Sequence, residues 1–295
     1  MSSINTQKNI VFVGGDARQI TAARMLSLRG WRVSTFLGGD FDVAFERYES
    51  LESALMDADT VVLPLPVSVD AKSLNAPFLE NEQITLLRIV DALSQKQTVI
   101  GGRIPEDMVR ALGDKGITVI DYFKSEAFQI ENAYTTSEAA LSIAMSNLKR
   151  NIRGARFAVM GYGRIARTLT ELLIKLGGKV CVLARKESDL AWARIAGAKV
   201  MRITSENIKK LVDGYDIIFN TVPSWLFFEE FLSRVDKNTL IIDLASSPGG
   251  VDVSAAKKLN SRVLWASSLP GKYAPESAGE LIADCIGDII SEGNV

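Results

Sequence analysis

The sequence predicts an α/β protein made of two doubly wound, Rossmann-like parallel-sheet domains with a cleft between them. Three observations lead there. Short apolar runs that end in Gly, Pro or small polar residues alternate with helix-period segments. The alternation occurs twice, on either side of a stretch, residues 124–150, that has no strand pattern. The chain has 295 residues, long for one ordinary domain and comfortable for two.

In the first half, "NIVFVGGD" reads as a buried strand running into Gly14-Gly15. The next segment, "ARQITAARMLSLRG", sets Ile20, Ala23 and Leu26 at helical steps and stops at Gly30. "RVSTFL" is a second strand, and "TVVLPLP" a third that Pro64 and Pro66 turn into loop. "NEQITLLRIVDALSQ" is helical and "TVIGG" is a strand. "PEDMVRALGDKG" is a helix with Pro105 suited to its first position, and "ITVIDY" is a fifth strand. "TTSEAALSIAMSNLKRN" opens with Thr135 and Glu138 at capping-box spacing and turns Ala139, Ala140, Ile143 and Leu148 to one face. It reads as a connecting helix over 134–150.

The second half repeats the pattern with strands in "RFAVMG", "KVCVLA", "KVMRI", "YDIIFNTV", "TLIIDLA" and "RVLWAS". Helices are expected in "RIARTLTELLIKLG" and "SDLAWARIAG". The expected division is a substrate or partner domain over 1–133, a dinucleotide-binding domain over 151–274, and a helix over 275–292 that packs back on the first domain.

Composition excludes several function classes. Net charge is −1, so nothing electrostatic points to nucleic acid or an anionic membrane. No apolar run approaches the ~20 residues of a membrane span. The polar opening "MSSINTQKN" lacks a signal-peptide core, and Cys181 and Cys285 are the only cysteines; a reducing, cytoplasmic setting is expected. There is no histidine, which removes every imidazole base and every imidazole metal ligand, and two scattered cysteines build no thiolate zinc site. No metal is expected.

"GYGRIA" has the form G-x-G-x-x-A between a strand and a helix. Gly161 permits the tight turn, Gly163 lets backbone approach a pyrophosphate, and Ala166 keeps helix close to sheet. Arg164 and Ile165 open the helix, whose free N–H groups face the anion. The bland alternative is a plain tight turn. About 20 residues on, where a ribose-binding acid normally stands, the chain reads Ala184, Arg185, Lys186. Arg185 and Lys186 would attract a 2′-phosphate and Ser188 add a hydroxyl, so the expected cofactor is NADP(H) rather than NAD(H); the alternative is two solvated cations. Thr221, Val222, Pro223 and Ser246 follow later strands and line the crevice of such a sheet, unless they are ordinary strand exits. In the first domain Arg18 and Arg103 follow strands and are the cations expected to reach the cleft. Asp16 is either a second polar group there or an N-cap. In "SLPGKYAPESAGE", Pro275 starts a helix behind Ala274, which cannot cap it, leaving its N–H groups and Lys272 for a ligand carboxylate or for solvent.

Together "GGDARQ", "GYGRIA", "IDLASSPGG" and, most specifically, "LPGKYAPESAGE" resemble the A subunit of bacterial dipicolinate synthase over nearly the whole chain. The fold that this resemblance implies is similar to that of D-2-hydroxyacid dehydrogenases and adenosylhomocysteinase, from which this chain departs in having no histidine. The resemblance implies a role in sporulation, in the mother-cell cytoplasm. It also implies oxidation of dihydrodipicolinate, or its hydrated 4-hydroxy-tetrahydro precursor, to pyridine-2,6-dicarboxylate. The partner that it implies is a flavoprotein, the synthase's B subunit. A small dicarboxylate needs cations and helix N-termini, for which Arg18, Arg103, Lys272 and the Pro275 helix are the candidates. Aromatisation is downhill and asks for positioning more than for a tuned base. Water loss from the hydrated form needs an acid, with Tyr273 or Lys272 as candidates. A homo-oligomer is expected. Two other readings stay open: a non-catalytic NADP(H)-binding partner of a flavoprotein, and an NADPH-dependent ketoacid reductase.

Overall fold

The computed structural model describes residues 8–38, 45–79 and 82–292. The polar opening through Gln7, and Asn81 at the head of "NEQITLLRIVDALSQ", lie outside them. The chain divides into two compact units. The break falls between Glu131 and Asn132, and from Ala274 the chain belongs to the first unit again. Among the described residues no helix is long and apolar enough to cross a membrane.

The first unit contains β1 (Asn9–Val13), α1 (Ala17–Leu28), β2 (Arg32–Phe36), β3 (Glu46–Arg47), α2 (Leu51–Asp57), β4 (Thr60–Val62), α3 (Leu86–Ala92), β5 (Thr98–Gly101), α4 (Glu106–Asp114) and β6 (Thr118–Asp121). Its sheet runs β3-β2-β1-β4-β5-β6, all parallel. A parallel sheet is covered on both faces, so its inner strands are apolar throughout. In β1, Val11 and Val13 enter one core, and Ile10 and Phe12 enter the core on the other face. The sixth strand, β3, escapes sequence reading because it is two exposed polar residues at the sheet edge. Pro105 stands at the N-cap of α4, one residue earlier than expected, with extended ψ of 138°.

The helix α5 (Glu126–Asn147) corrects the expectation of a helix over 134–150 opening at Thr135. It starts nine residues earlier than that threonine: the Ser125 hydroxyl accepts from Phe128 N at 3.4 Å. Farther in, the Thr136 and Ser137 hydroxyls turn back to the carbonyls of Asn132 and Ala133, at 2.8 and 2.9 Å, so they sit in the helix interior. Phe128 packs in the first unit's core; Ala139, Ala140, Ile143 and Ala144 pack in the second's.

The second unit contains β7 (Arg156–Met160), α6 (Arg164–Lys175), β8 (Lys179–Ala184), α7 (Glu187–Ile195), β9 (Lys199–Arg202), α8 (Ser205–Lys209), β10 (Ile217–Asn220), α9 (Glu229–Leu232), β11 (Leu240–Asp243), α10 (Val253–Lys258), β12 (Val263–Trp265) and α11 (Leu269–Tyr273). Its parallel sheet runs β12-β11-β10-β7-β8-β9. Read from the other edge this is the order of the first unit. Each sheet therefore reverses its winding between its first and fourth strands, β1/β4 and β7/β10, where such sheets open a ligand crevice.

The last helix, α12 (Pro275–Ser291), belongs to the first unit. Its Ile282, Ala283 and Ile286 share a core with Ala22, Ala23 and Leu26 of α1. The helices cross at Gly279, where an added Cβ would lie 2.5 Å from Thr21 Cβ and 2.6 Å from the Arg18 carbonyl oxygen. A backbone atom cannot rotate away, so Gly279→Ala must push the helices apart. It is expected to destabilise the first unit by about 1–3 kcal/mol, read from denaturant unfolding.

Candidate functional site

The turn after β7 is shaped by two glycines with different duties. Gly161 has φ of +91°, and its N–H donates to the Leu183 carbonyl at 2.7 Å. A Cβ there would stand 2.6 Å from Thr221 Oγ1 and 3.1 Å from Val222 Cγ2. The strand ends on the two sides of the switch point thus touch, and only glycine fits between them. Gly163 is the N-cap of α6, with extended backbone and no side-chain cap, and a Cβ there would meet nothing within 4 Å. The first turn of α6, at Arg164 and Ile165, has no capping side chain, beside open space that a methyl group would begin to fill. This cradle fits a dinucleotide pyrophosphate.

Across the switch point Thr221 is fixed by two bonds to the Met160 carbonyl, from its N–H at 3.0 Å and its hydroxyl at 2.7 Å. Behind Val222 lies a buried polar knot that sequence reading missed. Asp243, 3% exposed, accepts from Asn220 Nδ2 at 2.8 Å, Ala245 N at 3.1 Å and Gly250 N at 2.8 Å. Asn220, fully buried, donates to the Val222 carbonyl and accepts from its N–H. Its signal was an Asn and an Asp each ending an apolar strand, within "FNTVPS" and "IDLASSPGG". The knot sets the loops after β10 and β11, on which Pro223 and Ser246 are exposed.

At the end of β8, Arg185, Lys186 and Ser188 are all exposed, with Ser188 in the first turn of α7. No acid side chain occupies the strand end itself, since Ala184 is buried there. Among the described residues no group of three or more His, Cys, Asp and Glu side chains could hold a metal ion.

Lys272 and Tyr273 belong to the second unit, at the end of α11. Both are exposed and line a shallow pocket of about 260 Å³ with Ser142 and Asn147 of α5, Trp265 at the end of β12 and Ser267 beyond it. Pro275 opens α12 in the first unit, where Ala274 provides no side-chain cap.

In the first unit Asp16 is the N-cap of α1, accepting from Arg18 N at 3.0 Å. Its carboxylate also holds the Arg18 side chain, at 2.9 Å from Nε and 2.8 Å from Nη2, and Nη2 donates to the Leu65 carbonyl as well. Arg18 is 7% exposed, so this pair braces the β1 and β4 ends and most of its donors are engaged inside the protein. Arg103 differs. It follows β5 with φ of +54°, a conformation non-glycine residues rarely hold without a reason. Asp121 imposes it, accepting from the N–H groups of Arg103, Ile104 and Phe123 at 3.0, 3.2 and 3.0 Å. The guanidinium lies 4.2 Å over the Phe123 ring. Burial lowers its pKa and Asp121 opposes that; a guanidinium stays charged regardless.

Comparison with known proteins falls along the same division. Residues 9–123 match the family model of the N-terminal domain of the dipicolinate synthase A subunit, and residues 156–247 match that described as NADP oxidoreductase coenzyme F420-dependent. The second unit therefore carries an NADP oxidoreductase domain, which points to a nicotinamide cofactor. A curated relative, the A subunit of dipicolinate synthase from Bacillus subtilis (strain 168), is 27% identical over 293 residues, 97% of each chain. The crystal structure of the A subunit of dipicolinate synthase from Bacillus halodurans superposes with a TM-score of 0.84 at 27% identity, over 97% of this chain and 99% of that one. A putative D-3-phosphoglycerate dehydrogenase from Ralstonia solanacearum shares the fold alone, with a TM-score of 0.58 at 17% identity over 97% and 95% of the two chains. With the N-terminal domain model on the first unit, the oxidoreductase model on the second and a full-length likeness spanning both, the chain belongs to the dipicolinate synthase A-subunit family.

Proposed function

We propose that this chain is the NADP(H)-binding subunit of a dipicolinate synthase, oxidising dihydrodipicolinate or its hydrated precursor to pyridine-2,6-dicarboxylate. The observation that carries the reading is the open cradle at Gly163 beside the uncapped α6, in a chain of this family. When bound, the nicotinamide supplies the hydride acceptor.

The chain's own residues bind and orient. The first-turn N–H groups of α6 hold the pyrophosphate, and Thr221 and Val222, fixed by Met160 and by the Asn220–Asp243 knot, wall the crevice. Forming an aromatic ring gives the driving force, so a site without histidine suffices once the ring is positioned. Arg103, held in place by Asp121 and Phe123, is the substrate cation that the first unit offers best; Arg18 is engaged by Asp16 and Leu65. Lys272 and Tyr273 are the proton donors assigned if the hydrated form is used. The relatives are named as the A subunit of their synthase, which implies a second, B subunit; we assign it as the flavoprotein partner.

The test follows nicotinamide absorbance with dihydrodipicolinate, for the purified chain with and without its flavoprotein partner. Arg103→Ala is expected to lower kcat/KM by roughly 10- to 100-fold, from the loss of one charge-assisted bond, with NADP(H) affinity unchanged. No hydride transfer in either mixture would refute the function. Full activity in the variant, or joint loss of cofactor and substrate binding, would refute the role of Arg103.

A further inference from the structure

A further cation stands at the strand ends beside the Arg185-Lys186 loop. Arg202 ends β9, and the strand register pairs it with Ala184, the residue before Arg185 and Lys186. The ladder continues past it, because Ile203 N donates to the Ala184 carbonyl at 3.0 Å. Arg202 and the Arg185-Lys186 pair therefore leave neighbouring strands at the same level. Its side chain points to that loop: Nη1 lies 3.6 Å from Glu187 Oε1.

That ion pair is a weak hold. Both side chains are more than half exposed, at 60% and 69%, and an exposed pair of this kind contributes about 0–1 kcal/mol. A phosphate dianion offers Arg202 more charge and a two-pronged acceptor surface. Glu187 stands three positions beyond the strand end, in the first turn of α7, where the macrodipole favours its charge without Arg202. It is thus a neighbour that Arg202 can leave.

We propose that Arg202 is a third, specificity-determining cation for the cofactor's 2′-phosphate: it joins Arg185 and Lys186 across the β8/β9 strand ends and exchanges Glu187 for the phosphate on binding. This rests on the NADP(H) reading above, so the experiment separates the two. Calorimetry first compares NADP+ with NAD+ on the wild-type chain. It then compares adenosine 2′,5′-bisphosphate with adenosine 5′-phosphate on wild type, Arg202→Ala and Glu187→Gln, with no substrate or turnover. Arg202→Ala is expected to weaken the bisphosphate by at least ~10-fold and leave the monophosphate unchanged, the effect of removing one charge-assisted bond. Glu187→Gln is expected to tighten the bisphosphate by about 2- to 5-fold, as its competitor is removed. Equal wild-type affinity for NADP+ and NAD+ would overturn the cofactor reading and this proposal with it. A preference for the bisphosphate over the monophosphate that survives Arg202→Ala intact, or an equal loss for both adenosine ligands, would overturn this proposal alone.

Discussion

Replacing Gly163 by Val is expected to abolish NADP(H) binding while leaving the unfolding of the chain unchanged. Gly163 has extended φ and ψ of −77° and −169°, which a β-branched residue accepts, and a Cβ there meets no atom within 4 Å. The fold therefore tolerates the side chain. The ligand does not, because the new methyl groups fill the space beside the α6 N–H groups. Losing two or more charge-assisted bonds should weaken binding at least ~100-fold. Calorimetry with NADP+ and a thermal melt on the same preparation check both halves. A variant with normal affinity would reduce "GYGRIA" to a turn. Gly161 is the contrast: at φ of +91° with Thr221 Oγ1 at 2.6 Å from a built Cβ, a substitution there damages the fold before any ligand is added.

The largest stability effect is expected at Asp243. Asp243→Ala leaves Ala245 N and Gly250 N without an acceptor, and Asn220 Nδ2 with only the Val222 carbonyl for its two protons, in a site closed to water. Each buried orphan costs about 1–3 kcal/mol, so a loss of roughly 3–5 kcal/mol is expected in denaturant unfolding of the second unit. Asp243→Asn keeps one acceptor oxygen and should lose clearly less. A change below about 1 kcal/mol for the alanine variant would show that the knot contributes little.

What the sequence disclosed and what it hid divide along physical lines. The inner strands were legible because burial on both faces makes them continuously apolar, as in "NIVFV" and "KVCVLA". The tight turn between β7 and α6 was legible because its geometric demands fall on consecutive residues. β3 was hidden, since two polar residues paired at an edge carry no hydrophobic signal. The start of α5 was misread because Thr135 and Glu138 have capping spacing in the middle of a helix whose real opening is at Ser125. Among the site residues, Arg18 looked available until the fold closed Asp16 and the Leu65 carbonyl around it. The hold of Asp121 on Arg103 spans 18 positions and that of Asp243 on Asn220 spans 23, and no local pattern announces either.

The return of the chain to its first unit at Ala274 fixes an order of completion during synthesis. β1 and α1 leave the ribosome early, but the core around Ala22, Ala23 and Leu26 lacks one wall until Ile282, Ala283 and Ile286 of α12 are made. The second unit is one unbroken stretch, Asn132–Tyr273, and has all six of its strands before α12 is translated. Domains commonly fold in the order they are made. Here the second unit can close while the earlier-made one still waits with an apolar helix face uncovered, so this protein finishes its first unit last.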